Sequence, residues 1–171
     1  MVGSLLIQPA IGHGGGPTKE DWATPPELFA KLDAVYHFDL DVCATADNAK
    51  CARFYSPEDN GLAQDWTGVC WMNPPYGRKV RDWMAKACEA GRNGVIVVCL
   101  VFARTDTRWW HDHAMQATWI AFIRGRVRFV GADSGAPFPS ALVVFGPGPQ
   151  PPFPTVQIVT PCRGVPFRGL L

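Results

Sequence analysis

The six cysteines include no Cys-x-x-Cys pair, the longest apolar run is the nine residues 95–103, and only 18% of the chain is charged. Without paired cysteines the usual zinc spacings are missing, and His111-Asp112-His113 is too local to form a site alone, so no metal is expected. Nine apolar residues cannot cross a membrane, which takes about 20. With 16 Lys/Arg against 15 Asp/Glu, a net charge of +1 excludes a globally basic nucleic-acid binder. Residues 1–11 show no basic n-region and no cleavage pattern, so the cysteines are expected as buried thiols in a reducing, cytoplasmic compartment. Residues 12–16, Gly-His-Gly-Gly-Gly, lack the Gly-Lys-Ser/Thr ending of a phosphate loop.

What is present is enough for a core. The 171 residues are 47% hydrophobic and 12% aromatic, which suits one domain burying roughly 70% of its unfolded surface. Charge is uneven along the chain. Residues 1–85 hold 7 Lys/Arg and 11 Asp/Glu, and residues 86–171 hold 9 and 4. An acidic half beside a basic half suits a cationic cofactor and a polyanion, and equally suits an ordinary solvated surface. Glycines and Pro17 make residues 1–21 a flexible lead-in, and seven prolines make 147–171 an extended tail with one edge strand at 155–159.

Between these tails, residues 22–146 alternate helical and strand patterns. Thr24-Pro25-Pro26-Glu27 reads as a Thr N-cap, a Pro at the first helical position and a capping-box Glu. Leu28, Phe29, Leu32, Val35 and Tyr36 follow at helical spacing. Strands are expected at 37–42, 69–72, 95–102, 118–123, 126–130 and 141–145, and helices at 79–90 and 107–117. The β-branched run 95–102 fits a central strand covered on both faces. The class is therefore α/β, with functional loops at the carboxyl ends of strands.

Asn73-Pro74-Pro75-Tyr76-Gly77 directly follows one such strand. An exocyclic amine on an aromatic base is a poor nucleophile, because its lone pair is delocalised into the ring. Two acceptors that bind its two hydrogens draw the nitrogen toward tetrahedral geometry. The Asn73 side-chain oxygen and the Pro74 carbonyl are such a pair, held rigid by consecutive prolines. Tyr76 offers a flat face for the base. The alternative is a proline-rich turn capped by Asn, and placement after a buried strand favours function.

At this point the chain resembles the phage-type, Dam-like DNA N6-adenine methyltransferases. The resemblance runs from residue 22 to 145. Its segments, in order, are Trp22-Ala23-Thr24-Pro25-Pro26, Phe38-Asp39-Leu40-Asp41-Val42-Cys43-Ala44, Gly61-Leu62 through Asp65-Trp66, Asn73-Pro74-Pro75-Tyr76-Gly77, Arg104-Thr105-Asp106-Thr107, and Gly125-Arg126 leading to Phe129. It implies a Rossmann-like class I methyltransferase domain over 22–146, S-adenosylmethionine as methyl donor, and DNA as partner. It also implies a target base flipped out of the duplex and, if phage-derived, work in a host cytosol.

The same resemblance implies site roles. Asp41 matches the acidic residue facing the cofactor's methionine amine. The two glycine positions of the family's Asp-x-x-x-Gly-x-Gly loop hold Thr45 and Asp47, so that loop must differ. Asp65 matches an acceptor for the cofactor adenine, and Asp59 or Glu58 a ribose ligand. Thr24-Pro25 matches the motif closing over the cofactor carboxylate. Trp22 either packs on the cofactor or seals the core.

Arg104 is expected at the target strand or the cofactor pocket. Arg124, Arg126 and Arg128 share one face if extended, as a phosphate strip or an exposed strand face. Trp109 and Trp110 either wedge near DNA or pack a helix on the sheet. Only 32 residues separate Asp41 from Asn73, which implies a trimmed sheet with a strand reduced or lost. Cytosine-N4 methylation, protein-glutamine methylation and a non-catalytic DNA-binding module share parts of this pattern. Asn rather than Ser at position 73 argues against the first, and the lack of an N-terminal domain against the second. The lost loop glycines favour the third, and the intact Asn73–Gly77 stretch opposes it.

Overall fold

The structure, a computed structural model, describes residues 22–153 and 155–157. The expected lead-in 1–21 and the tail beyond 157 lie outside the described residues. The chain forms α1 (Pro26–Tyr36), β1 (Leu40–Asp41), β2 (Arg53–Phe54), β3 (Val69–Met72), α2 (Val80–Arg92), β4 (Ile96–Phe102) and α3 (Arg108–Asp112). A 3-10 turn (Ala114–Gln116), β5 (Trp119–Phe122), β6 (Ser140–Phe145) and β7 (Thr155–Gln157) complete it.

One sheet carries all seven strands in the order β2-β1-β3-β4-β6-β5-β7. The first four strands are mutually parallel, while β6 runs antiparallel to both β4 and β5. Strict alternation along β4 explains its all-apolar sequence. Val97, Cys99 and Val101 face α2 and α3, meeting Trp83, Met84, Ala87 and Trp110. Val98, Leu100 and Phe102 face α1 and the segment after β5, meeting Leu32, Tyr36 and Phe129. The connection from β1 leads to the β2 edge and that from β3 leads the other way to β4. A crevice therefore opens at the carboxyl ends of β1 and β3, where an α/β sheet binds ligands.

Several local expectations are corrected. Thr24 is not the cap of α1: Pro25 occupies the cap position, Pro26 starts the helix, and no side chain caps it. Thr24 is instead buried in the crevice wall. The strand expected at 37–42 shrinks to Leu40–Asp41, because His37 takes a left-handed conformation (φ 54°) that ends α1. The helix expected at 107–117 breaks into α3 and the 3-10 turn. Residues 126–130 form no strand. Val127 and Phe129 are buried, and one bridge joins Val130 to Ala23.

Residues 42–68 hold only the two-residue β2 and turns, with no helix. This is how 32 residues connect Asp41 to Asn73. At the other edge β7 pairs with β5, and the Tyr36 hydroxyl donates to the Pro149 carbonyl at 2.8 Å. β7 thus adds to the sheet edge, and Pro149 lies against α1.

Candidate active site

The crevice holds a cavity of about 220 Å³. Its acidic wall is Asp41, only 3% exposed. The carboxylate accepts from the main-chain N–H groups of Cys43 (3.3 Å) and Lys50 (3.1 Å). Burial raises its pKa from 3.8 to about 6, and the bonds from Lys50 and Cys43 oppose that rise. Between these donors the chain makes a compact turn. The Thr45 N–H donates to Asn48 Oδ1 at 2.7 Å, and the Asn48 and Ala49 N–H groups donate to the Thr45 carbonyl. Neither Thr45 nor Asp47 has a positive φ. An Asn-closed turn in ordinary backbone space replaces the glycine loop of the family pattern.

Across the cavity stands Asn73, at the end of β3. Its Nδ2 donates to the Trp22 carbonyl at 2.7 Å, so Oδ1 is the oxygen on the other side of the amide. The Tyr76 hydroxyl lies 3.1 Å from that Oδ1 and 3.3 Å from the Leu100 carbonyl, with one proton to share. Pro74 is buried and Pro75 lines the cavity. Tyr76 is not an open platform here. Phe102 stacks on it at 3.9 Å, and Trp22 approaches at 5.9 Å. Burial pushes the phenol's pKa up.

Asp41, Asn73, Pro75, Trp22 and Thr24 are brought together around this cavity. Trp22 lines the cavity and packs on Tyr76, Phe102 and Phe129. Pro25 lies outside the lining, its carbonyl accepting from the Phe29 N–H. Asp59 is also outside. Its carboxylate closes a turn on the Ser56 N–H (2.8 Å) and hydroxyl (2.9 Å), which lowers its pKa. Asp65 is exposed and contributes only its main-chain carbonyl, which holds the Tyr55 hydroxyl at 2.9 Å.

The cavity wall also includes Asn48, Lys50, Tyr55, Lys79 and Trp83, which no motif marks as cofactor ligands. Asn48, Lys50 and Tyr55 reach the wall from the 42–68 loops, and Lys79 and Trp83 from the start of α2. Gly61 opens the Gly61-Leu62 segment of the family resemblance. A Cβ there would overlap the Val42 carbonyl and press on Trp83 at 3.1 Å.

A second cluster lies beyond Phe102. Arg104 is 3.8 Å from Asp106, and its guanidinium sits 4.6 Å over the Phe138 ring. Arg124, Arg126 and Arg128 are all exposed, and Arg126 donates to the Pro137 carbonyl at 3.1 Å. Trp110 is buried and packs α3 on the sheet. No group of three or more His, Cys, Asp or Glu is placed to hold a metal among the described residues. No helix among them is long and apolar enough to cross a membrane.

A mixed sheet with an acidic β1 end facing an Asn-Pro-Pro-Tyr turn at the β3 end is consistent with a methyltransferase-like protein. The family model described as DNA N-6-adenine-methyltransferase (Dam) matches residues 14–143, and the chain belongs to that family of adenine-specific DNA methyltransferases. It is 33% identical over 138 residues to the DNA N-6-adenine-methyltransferase of Haemophilus phage HP1, covering 75% of this chain and 80% of that protein. It is 30% identical over 132 residues to the protein of the same name from Escherichia phage T1, covering 67% and 55%. A putative methyltransferase of Escherichia coli K12, YfdM, is 40% identical over 65 residues, 33% of this chain and 71% of that protein.

Proposed function

We propose that this chain transfers a methyl group from S-adenosylmethionine to the N6 amine of adenine in DNA, on a base extruded from the duplex. The observation that carries the reading is the pinned Asn73 amide, with Nδ2 on the Trp22 carbonyl and Oδ1 on the Tyr76 hydroxyl, across the cavity from Asp41. The strand order, with its reversal between β1 and β3 and its antiparallel β6, supports a Rossmann-like class I domain with a reduced β1–β2 edge.

The cavity's donor set fits the cofactor. A buried carboxylate with two N–H partners retains lone pairs for an ammonium group. Lys50 and Lys79 supply positive charge for a carboxylate, and Tyr55 and Trp83 supply aromatic wall for a purine. When bound, S-adenosylmethionine supplies a methyl on a sulfonium, a strong electrophile. The protein's own work is positional. Asn73 Oδ1 and the Pro74 carbonyl accept the two amine hydrogens and localise the nitrogen lone pair toward the cavity. The extruded base stacks on the aromatic cluster that Trp22, Tyr76 and Phe102 form. Arg104, Arg124, Arg126 and Arg128 engage the strand. The host cytosol is the compartment that fits the phage relatives.

The test is incubation of the full chain with methyl-labelled S-adenosylmethionine and unmethylated DNA, followed by nucleoside analysis. The expected product is N6-methyladenine. Label in N4-methylcytosine, or none in DNA, overturns the reading.

A further inference from the structure

We propose that Phe138 is a wedge that enters the duplex beside the target adenine and fills the space the extruded base leaves. This rests on the base-extrusion reading above. Phe138 is a large apolar side chain left 40% exposed beside two arginines, one of which, Arg104, also lies 3.8 Å from Asp106. Arg104 lies 4.6 Å over its ring, and the Pro137 carbonyl beside it is held by Arg126. Such a ring in a folded monomer gains nothing from water, whereas a base stack accepts it. Apolar side chains of this kind unstack base steps, and a neighbouring guanidinium suits phosphate.

A wedge must be stiff, or its ordering opposes insertion. The 131–139 loop is pinned on both sides of Phe138. The Ala136 N–H donates to the Val127 carbonyl at 2.8 Å, and the Pro139 carbonyl accepts from the Ala103 N–H at 2.8 Å. Gly135 sits so tightly that a Cβ there would stand 2.7 Å from the Arg126 Cβ.

A wedge must also be coupled to the chemistry. The Phe138 ring meets Phe102 at 5.5 Å, Phe102 stacks on Tyr76 at 3.9 Å, and the Tyr76 hydroxyl reaches Asn73. Two ring contacts therefore join the exposed tip to the side chain of the residue that bonds the Asn73 amide.

The experiment compares wild type, Phe138→Ala and Phe138→Leu on unmethylated duplex DNA and on the same DNA heat-denatured. Initial rates of N6-methyladenine formation are read with labelled cofactor. Phe138→Ala is expected to lose at least about tenfold on duplex and at most about threefold on denatured strands, where extrusion needs no unstacking partner. Phe138→Leu, which keeps an apolar wedge, is expected to stay within about threefold of wild type on both. Calorimetric cofactor affinity should match wild type for both variants, since the ring lies outside the cavity wall. Equal losses on duplex and denatured DNA, or none on duplex, overturn the wedge while leaving the methylation reading intact. A wild type that forms no N6-methyladenine overturns both.

Discussion

The Tyr76 hydroxyl stands 3.1 Å from the Asn73 side-chain oxygen, so the first and last side chains of the Asn-Pro-Pro-Tyr turn are bonded to each other. The amide is thereby held at both ends, with Nδ2 on the Trp22 carbonyl 51 residues away in sequence. A free Asn can flip its oxygen and nitrogen, and a flipped amide would present donors to an amine that needs acceptors. The sequence alone gives Tyr76 a ring and makes its hydroxyl dispensable. The structure gives the hydroxyl a positioning task. Tyr76→Phe should therefore lower kcat by about three- to tenfold, the worth of one hydrogen bond. Cofactor affinity by calorimetry should hold, and an unchanged kcat would count against the positioning task.

Asn73→Ala should be far more damaging. It removes the acceptor itself, and losing one preorganised polar contact to developing charge costs on the order of 100- to 1,000-fold in kcat. Cofactor binding should survive, because the Asp41 wall keeps both of its main-chain donors. Single-turnover rates with saturating cofactor make the comparison. A rate near wild type would remove the turn from the chemistry.

How much of this was legible depended on whether a residue's role was local. β3 and β4 declared themselves through apolar runs, and Asn73 through its place at the end of one. The two-residue β2 had no periodicity to show, since a strand that short has less than one full alternation to display. Thr24 looked like a cap because the capping rule reads four residues at a time. Its burial in the cavity wall is a long-range outcome. Asp59 and Asp65 had suitable chemistry and sequence position. A turn on Ser56 engages the Asp59 carboxylate, and the Asp65 carboxylate is exposed outside the cavity wall. Tyr55 and Trp83 reach the cavity from opposite sides of β3 in sequence, which no spacing rule anticipates.

Gly61 and Asp65 offer a sharp contrast. Gly61→Ala forces a methyl against the Val42 carbonyl, with Trp83 and Tyr55 at 3.1 and 3.3 Å. Overpacking of that sort costs about 1–3 kcal/mol, so its melting temperature should fall and cofactor affinity should drop with it. Asp65→Ala removes an exposed carboxylate while leaving the carbonyl that holds Tyr55. Its cofactor affinity should stay within about twofold of wild type, by the modest effect of surface substitutions. A large loss in Asp65→Ala would restore the adenine contact that the sequence suggested.

Arg124 and Arg128 separate binding from architecture better than Arg126, whose guanidinium is occupied by the Pro137 carbonyl. Both are exposed on the segment after β5. The double variant Arg124→Ala, Arg128→Ala should weaken duplex binding across sequences. It should also flatten the log–log salt dependence by about 0.9 per lost phosphate contact. Fluorescence anisotropy over a salt series reads the slope. A slope equal to wild type would place this strip off the DNA.

Asp41 makes the cofactor site sensitive to pH. Its folded pKa of about 6 lies above its ordinary 3.8, chiefly through burial. Folding therefore favours the protonated carboxyl. The stabilisation from this group is fully present below about pH 3.8 and is lost as pH rises through about 6. The free protein should accordingly gain stability relative to Asp41→Asn as pH falls from 7 to 5, read as the difference between their melting curves. Cofactor binding runs the opposite way. An ammonium group seated on Asp41 needs the ionised form, so below pH 6 each molecule bound must release a proton. Affinity should fall by up to about tenfold per pH unit in that range, and the calorimetric heat should change with the buffer's ionisation enthalpy. Asp41→Asn should bind more weakly and show neither effect, because its amide does not titrate. Comparing the two proteins cancels the contribution of His113, whose pKa is lowered by burial. An affinity in wild type that is flat from pH 7.5 to 5 would mean that the carboxylate does not meet the cofactor's amine. Asp41 would then serve only to hold the Cys43 and Lys50 main chain in place.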